Sequence, residues 1–146
     1  MYDVDSPKVR KWWYALVLYL SGPMTGIADF NYPFFHQVAK ELRAAGYRIV
    51  NPAELPIAKE APYETALRIA LQALLTEASG IVSLPGWKRS TGACVEHLNA
   101  YFTGMPRFVY MGAGQGLVEV PITPEEWGSV RLKLVSKILE KEVEWA

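Results

Sequence analysis

Four short apolar runs recur along the chain with little polar alternation inside them: WYALVLYL (Trp13–Leu20), YRIV (Tyr47–Val50), GIVSL (Gly80–Leu84) and RFVYM (Arg107–Met111). Runs of this kind mark strands covered on both faces, the condition of a parallel sheet. Between and after them lie segments with helical spacing. The first is Tyr32–Ala45, with Asn31 as candidate cap, Pro33 in the first turn and Gly46 as the stop. Its inner face is predicted to be Phe34, Phe35, Val38, Leu42 and Ala45. A second helix is predicted over Tyr63–Glu77, and a third from the Ser90–Thr91 cap to about Thr103 and Gly104. Thr123-Pro124-Glu125-Glu126 is a strong helix start, opening a last helix over about 124–144. Trp127, Val130, Leu134, Val135, Ile138 and Leu139 give that helix a broad apolar face for its own sheet, with a partner protein as the other occupant.

Alternating strands and helices predict an α/β fold. It is a doubly wound, flavodoxin- or Rossmann-like parallel sheet of four to five strands, order 2-1-3-4, with helices on both faces. Residues 1–11, polar and containing Pro7, read as a flexible N-terminal arm, and 12–146 as one domain. Ligands of such sheets bind at the carboxyl ends of the strands, near the switch between strands one and three. The loops there are Ser21–Asn31, Asn51–Pro62 and Pro85–Thr91.

Composition narrows the function classes. The 146 residues suffice for one domain with a real core, and a hydrophobic content of 51% excludes global disorder. Fifteen basic and fifteen acidic residues cancel, which argues against binding a nucleic-acid polymer but leaves room for a small anionic ligand. The single cysteine, Cys94, permits no intrachain disulfide and makes the cytoplasm the natural compartment. KVRKWWYALVLYLSG mimics a signal peptide, but its apolar run is too short to span a bilayer and reads better as a strand, so no membrane partner is expected.

Two segments can carry chemistry. In SGPMTG, Gly22 and Gly26 let backbone approach a ligand, Ser21 and Thr25 add hydroxyls, and the next helix offers its N-terminus. It matches neither a P-loop nor a dinucleotide fingerprint, and alone it fits a plain strand-to-helix turn equally well. In STGACVE, Ser90 or Thr91 caps a helix whose first turn, Gly92 and Ala93, lacks bulk. Side chains lean toward the helix N-terminus, so Glu96 lies over Gly92, with a path to the mouth of the site. A carboxylate there can attack an electron-poor sugar carbon; it can also be an exposed first-turn acid. Trp87 can stack on a base or cover the sheet end. Lys88 and Arg89 suit an anion, while His36 and His97 stand alone, without metal-ligand spacing, and read as structural; no metal is expected.

From Tyr19 to Met111 the chain resembles the nucleoside 2-deoxyribosyltransferase-like superfamily, above all a branch of small, often phage-encoded members. The resemblance rests on YLSGPMTG, FNYPFFHQVAKELRAAGYRIVNPAEL and SLPGWKRSTGACVEHLNAYFTGMP, in that order. It implies the doubly wound fold and cleavage of the N-glycosidic bond of nucleosides or nucleoside 5′-monophosphates, the sugar passing to another base or to water. By the same likeness Glu96 is the nucleophile, Ser90 and Gly92, with Thr91 between them, bind the 5′-phosphate, and Ser21, Gly22, Pro23, Met24, Thr25 and Gly26 wrap the ligand. Asp29 holds the base or helps protonate it. No cofactor is implied, and a homodimer or higher homo-oligomer is. Many relatives carry an Asp where this chain has Leu71 and another where it has Ser79; Glu64 and Glu54 are the candidate substitutes. That departure keeps open a nucleotide-binding module that has lost turnover, and a structural protein acting through the last helix is a third reading.

Overall fold

The computed structural model describes residues 15–145; the predicted arm and Trp13 lie outside them. Its five strands are β1 (Val17–Ser21), β2 (Arg48–Val50), β3 (Gly80–Ser83), β4 (Arg107–Tyr110) and β5 (Leu117–Glu119). The helices are α1 (Tyr32–Ala44), α2 (Tyr63–Glu77), α3 (Thr91–Phe102) and α4 (Pro124–Trp145). Sheet order is β2-β1-β3-β4-β5. The first four strands are parallel, as expected; β5 is antiparallel to β4 and adds to the expected order. It reverses because Gly112, Gly114 and Gly116, all at positive φ, turn the chain within a few residues, where a helix would have preserved its direction. Glu41 of α1 fastens that turn, accepting from Tyr110 Oη at 2.7 Å and from the Gly114 amide at 2.6 Å.

The two faces of the sheet differ in chemistry. On one, Leu18, Leu20, Val82, Leu84, Phe108, Tyr110 and Leu117 pack under Phe35, Val38, Ala39 and Leu42 of α1. Successive strand residues point to opposite faces, so Tyr19, Ser21, Ile81 and Ser83 turn the other way. There Tyr19 and Ile81 meet Ala73 and Leu74 of α2 and Ala100 of α3. Ser21, Ser83 and Arg107 are buried as well. Helix–sheet layers are ordinarily closed with apolar side chains, and a polar row beneath α3 asks for a reason.

Several local expectations are corrected. Asn31 stands before α1 but does not cap it: its backbone is left-handed (φ 61°) and its side chain donates to the Pro23 carbonyl at 3.0 Å. Ala45 is exposed, and Ala39 takes the inner place. On α4, Val130, Trp127 and Leu134 pack against Trp87, Ala93 and Cys94. Val135, Ile138 and Leu139 do not join them; they are exposed, because α4 rests on α3 and the Trp87–Arg89 turn and not on the open sheet. The Thr123 start is as predicted: Thr123 Oγ1 accepts from the Glu126 amide and Glu126 Oε1 from the Thr123 amide, each at 3.1 Å. Among the described residues no helix is long and apolar enough to cross a membrane.

Candidate active site

β1 sends the chain to β2 on one side and has β3 on the other, so the sheet's switch point lies at the carboxyl ends of β1 and β3. Parallel register sets Ser21 beside Ser83 there. The two loops that follow lean on each other. A Cβ on Gly22 would stand 2.8 Å from Leu84 Cβ, so glycine is required for the approach. Gly86 turns at φ +81° beneath Pro23. The chain then enters α3 with Ser90 as cap, its Oγ accepting from the Ala93 amide at 3.2 Å.

The underside of α3 presents Glu96 and His97 to the strands. Both oxygens of Glu96 are held: Tyr19 Oη donates to Oε2, and Ser21 Oγ donates to Oε1 at 2.7 Å. Burial, with 7% of the residue exposed, pushes the Glu96 carboxyl up to about 7, against the lowering effect of these two bonds. Burial and the neighbouring Glu96 charge raise the Tyr19 phenol well above its ordinary range, so it remains a donor. Tyr63, the first residue of α2, brings its hydroxyl within 3.4 Å of where a Cβ on Gly92 would stand. Burial first, then the Glu96 charge, raise its pKa too.

His97 continues the polar row away from the mouth. Its Nδ1 lies 2.8 Å from the Ala93 carbonyl, which only accepts; the proton is therefore on Nδ1. Nε2 accepts from Ser83 Oγ at 2.7 Å, and Ser83 Oγ accepts from Arg107 Nη1 at 3.1 Å. Arg107 also donates to the Val120 and Pro121 carbonyls and pairs with Glu126 at 2.7 Å. Burial lowers the His97 pKa to about 3, so the ring is neutral. Trp87 stacks on it, centroids 3.8 Å apart and planes 15° from parallel. Among the described residues no buried side-chain nitrogen or oxygen lacks a partner.

Residues 16–108, from the approach to β1 into β4, match the family described as a domain of unknown function, DUF4406. The chain belongs to the DUF4406 family. Neither the curated proteins nor the solved structures contain a significant match. The DUF4406 segment holds the whole polar row from Tyr19 to Arg107; Glu126, which anchors Arg107, lies beyond it.

Within this DUF4406 domain the sequence-predicted residues divide. Glu96, Ser21, Gly22, Ser90 and Gly92 gather at the switch point, with Pro23 against Gly86. Ser21 is fully buried and serves Glu96, instead of facing a ligand directly as expected. Trp87, 5% exposed, covers the sheet end, its ring face taken by His97; a base has no access to that face. Met24 packs toward the α1 side of the core, while Thr25, Gly26 and Asp29 are exposed on the loop. Thr91 is the first residue of α3, and the cap is Ser90. Of the candidate substitutes, Glu54 is paired with Arg43 at 2.7 Å and Glu64 with Lys141 at 3.5 Å. Leu71 packs against the Tyr19 cluster, and Ser79 bonds Val17 at the opposite, amino end of the strands. Among the described residues no group of three His, Cys, Asp or Glu could hold a metal.

The sequence reading missed Tyr19, Ser83, Arg107 and Tyr63. The strand period carried a signal for the first: Tyr19 and Ser21 are two apart, so a site holding one holds the other.

Proposed function

We propose that this domain cleaves the N-glycosidic bond of a nucleoside or nucleoside 5′-monophosphate, with Glu96 as nucleophile. The supporting observation is the buried Glu96 carboxylate, oriented by Tyr19 and Ser21 at the switch point beside the capped N-terminus of α3. A carboxylate near pKa 7 is half ionised at neutral pH, and two donors aim it. One carboxylate oxygen attacks the anomeric carbon; the C–N bond breaks, and its electron pair leaves on the base, which takes a proton from solvent. Water or a second base then attacks the same carbon, the ester C–O bond breaks, and its electron pair returns to Glu96. The free amides of the first turn of α3, with Ser90 and Gly92, suit the 5′-phosphate. The likeness to the nucleoside 2-deoxyribosyltransferase-like superfamily supports the same reaction, a small-molecule substrate, no cofactor, and a homodimer or higher homo-oligomer, the last to be checked by sedimentation.

Chromatography of nucleosides and their monophosphates after incubation tests the reaction. Free base is expected, and Glu96→Gln is expected to abolish it. No base from any of them would remove the enzyme reading. Gly92→Ala sharpens the test. Its Cβ meets Tyr63 Oη at an ordinary 3.4 Å, so the helix accepts it and gains up to about 1 kcal/mol, while the methyl crowds the first turn of α3 that receives the phosphate in this reading. A melting temperature at or above wild type with at least a tenfold loss of kcat/KM is expected.

One observation favours a second reading, a nucleotide-binding module without turnover. Leu71, where many members of the similar superfamily carry an Asp, packs in the apolar cluster with Tyr19 and brings no second carboxylate. Thermal stabilisation by nucleotides without base release would decide for it.

A further inference from the structure

Stability alone does not ask for the polar row beneath α3, since buried polar sets are often replaced by packed apolar residues without loss. Its geometry is specific. Ser21 and Ser83 are register partners on β1 and β3, and each holds one of two successive residues of α3, Glu96 and His97. The order of protons along the row is fixed from both ends. Arg107 only donates, so the Ser83 hydrogen goes to His97 Nε2. The Ala93 carbonyl only accepts, so Nδ1 carries a proton. That N–H has Ala93 as its main acceptor at 2.8 Å and Ser21 Oγ, at 3.4 Å, as a second, weaker one. Ser21 in turn gives its hydrogen to Glu96. Every donor from Arg107 to Glu96 therefore points the same way, and bonds in such a chain strengthen one another.

We propose that His97 is the positioning residue of Glu96: its ring, held between Ser83 and the Ala93 carbonyl and stacked on Trp87, presents Nδ1–H to the Ser21 hydroxyl and so aims the carboxylate that Ser21 holds. The catalytic consequence rests on the reading of Glu96 as nucleophile; the positioning rests on the hydrogen bonds alone. Arg107, anchored by Val120, Pro121 and Glu126, fixes the ring from the far side through Ser83. The titratable groups around Glu96 are Tyr19 of β1, His97 of α3 and Tyr63 of α2, whose pKa the Glu96 charge raises. Arg107 of β4 and Glu126 of α4 stand at the other end of the row. The ring is neutral and so adds no charge to the site; it acts by direction.

Nitrogen-15 NMR of the wild-type protein is the first test. His97 is expected to stay neutral, with its proton on Nδ1, from about pH 5 to about pH 8; a cationic ring or a proton on Nε2 overturns the assignment. Two variants then separate the ring nitrogens. His97→Asn keeps a donor at the level of Nδ1, as Asn99 does on the same helix, donating to the Val95 carbonyl at 2.9 Å. His97→Gln carries its amide one atom further out, toward Ser83, and leaves Ser21 without the donor. In carbon-13 titrations the Glu96 midpoint is expected to rise by about half a pH unit in His97→Gln and to stay within about 0.2 of wild type in His97→Asn. A merely structural role would lower both melting temperatures and leave the midpoint where it was. A midpoint that moves in neither variant, or equally in both, overturns the proposal. In turnover His97→Gln is expected to lose kcat about fivefold with KM within about twofold, and His97→Asn to recover most of it. If no form releases base while the midpoints move as expected, the glycosidase reading falls and His97 remains the residue that positions Glu96.

Discussion

Glu96 is held at a cost. Its carboxyl sits at about 7 in the fold against 4.5 ordinarily, so the native state binds the proton more tightly than the unfolded chain. The stability this lends is complete below about pH 4.5 and is lost as pH rises to about 7, on the order of 3 kcal/mol in all. Glu96→Gln keeps the shape and removes the ionisation. Melting curves should therefore show the variant gaining on wild type between pH 5 and pH 8; a constant difference would mean the carboxyl titrates normally. Ser21→Ala removes one of the two bonds that lower this pKa, so the acid limb of a kcat/KM profile should move above pH 7. Glu96 itself was legible because the G-x-x-x-E spacing on one helix is local. Tyr19, 77 residues away, was not, because its role comes only from the packing of α3 on β1. Trp87 is buried and one face of its ring is taken by His97, whose own orientation depends on Ser83, a contact that no local spacing announces.

At the scale of elements, the turn between β1 and α1 carries the backbone strain. Asp29, Phe30 and Asn31 follow one another at φ 53°, 53° and 61°, although none is glycine. Left-handed backbone costs a non-glycine residue about 1–2 kcal/mol, less for Asn and Asp. The turn is held by Phe30 N–H to the Ile27 carbonyl at 3.0 Å and by Asn31 to Pro23. Asp29→Gly should raise stability by less than about 1 kcal/mol in denaturant titration, since relief of the left-handed backbone is partly offset by the freedom glycine gains in the unfolded chain. If the Asp29 carboxylate acts on the base, the same variant should lose kcat while it gains stability; equal activity would show the residue to be a turn former only. The regular elements were readable because periods of two and 3.6 are written locally. This turn was not, since its handedness is imposed by the Pro23 carbonyl that Asn31 must reach.

For the molecule as a whole, α4 is bound along one side. Val130 is 2% exposed, while Leu132, Val135, Ile138 and Leu139 are open to solvent. Val130→Ala should cost about 2 kcal/mol in equilibrium unfolding and Ile138→Ala less than about 0.5 kcal/mol. Equal losses would mean that both sides are covered in solution. The parallel core and the strand order were legible from the alternation of runs. β5 was not, because three residues within a glycine-rich loop give too short a signal. The Arg107 cluster gives the family boundary a meaning of its own. The DUF4406 match stops at Phe108, inside β4, yet the Arg107 guanidinium takes the Val120 and Pro121 carbonyls and Glu126 as partners from outside it. A fragment cut at that boundary would keep a buried cation and lose most of the oxygens that satisfy it. The unit of homology is therefore shorter than the unit of folding, and the segment after residue 108 is as much a part of the Glu96 side of the sheet as the strands that carry it.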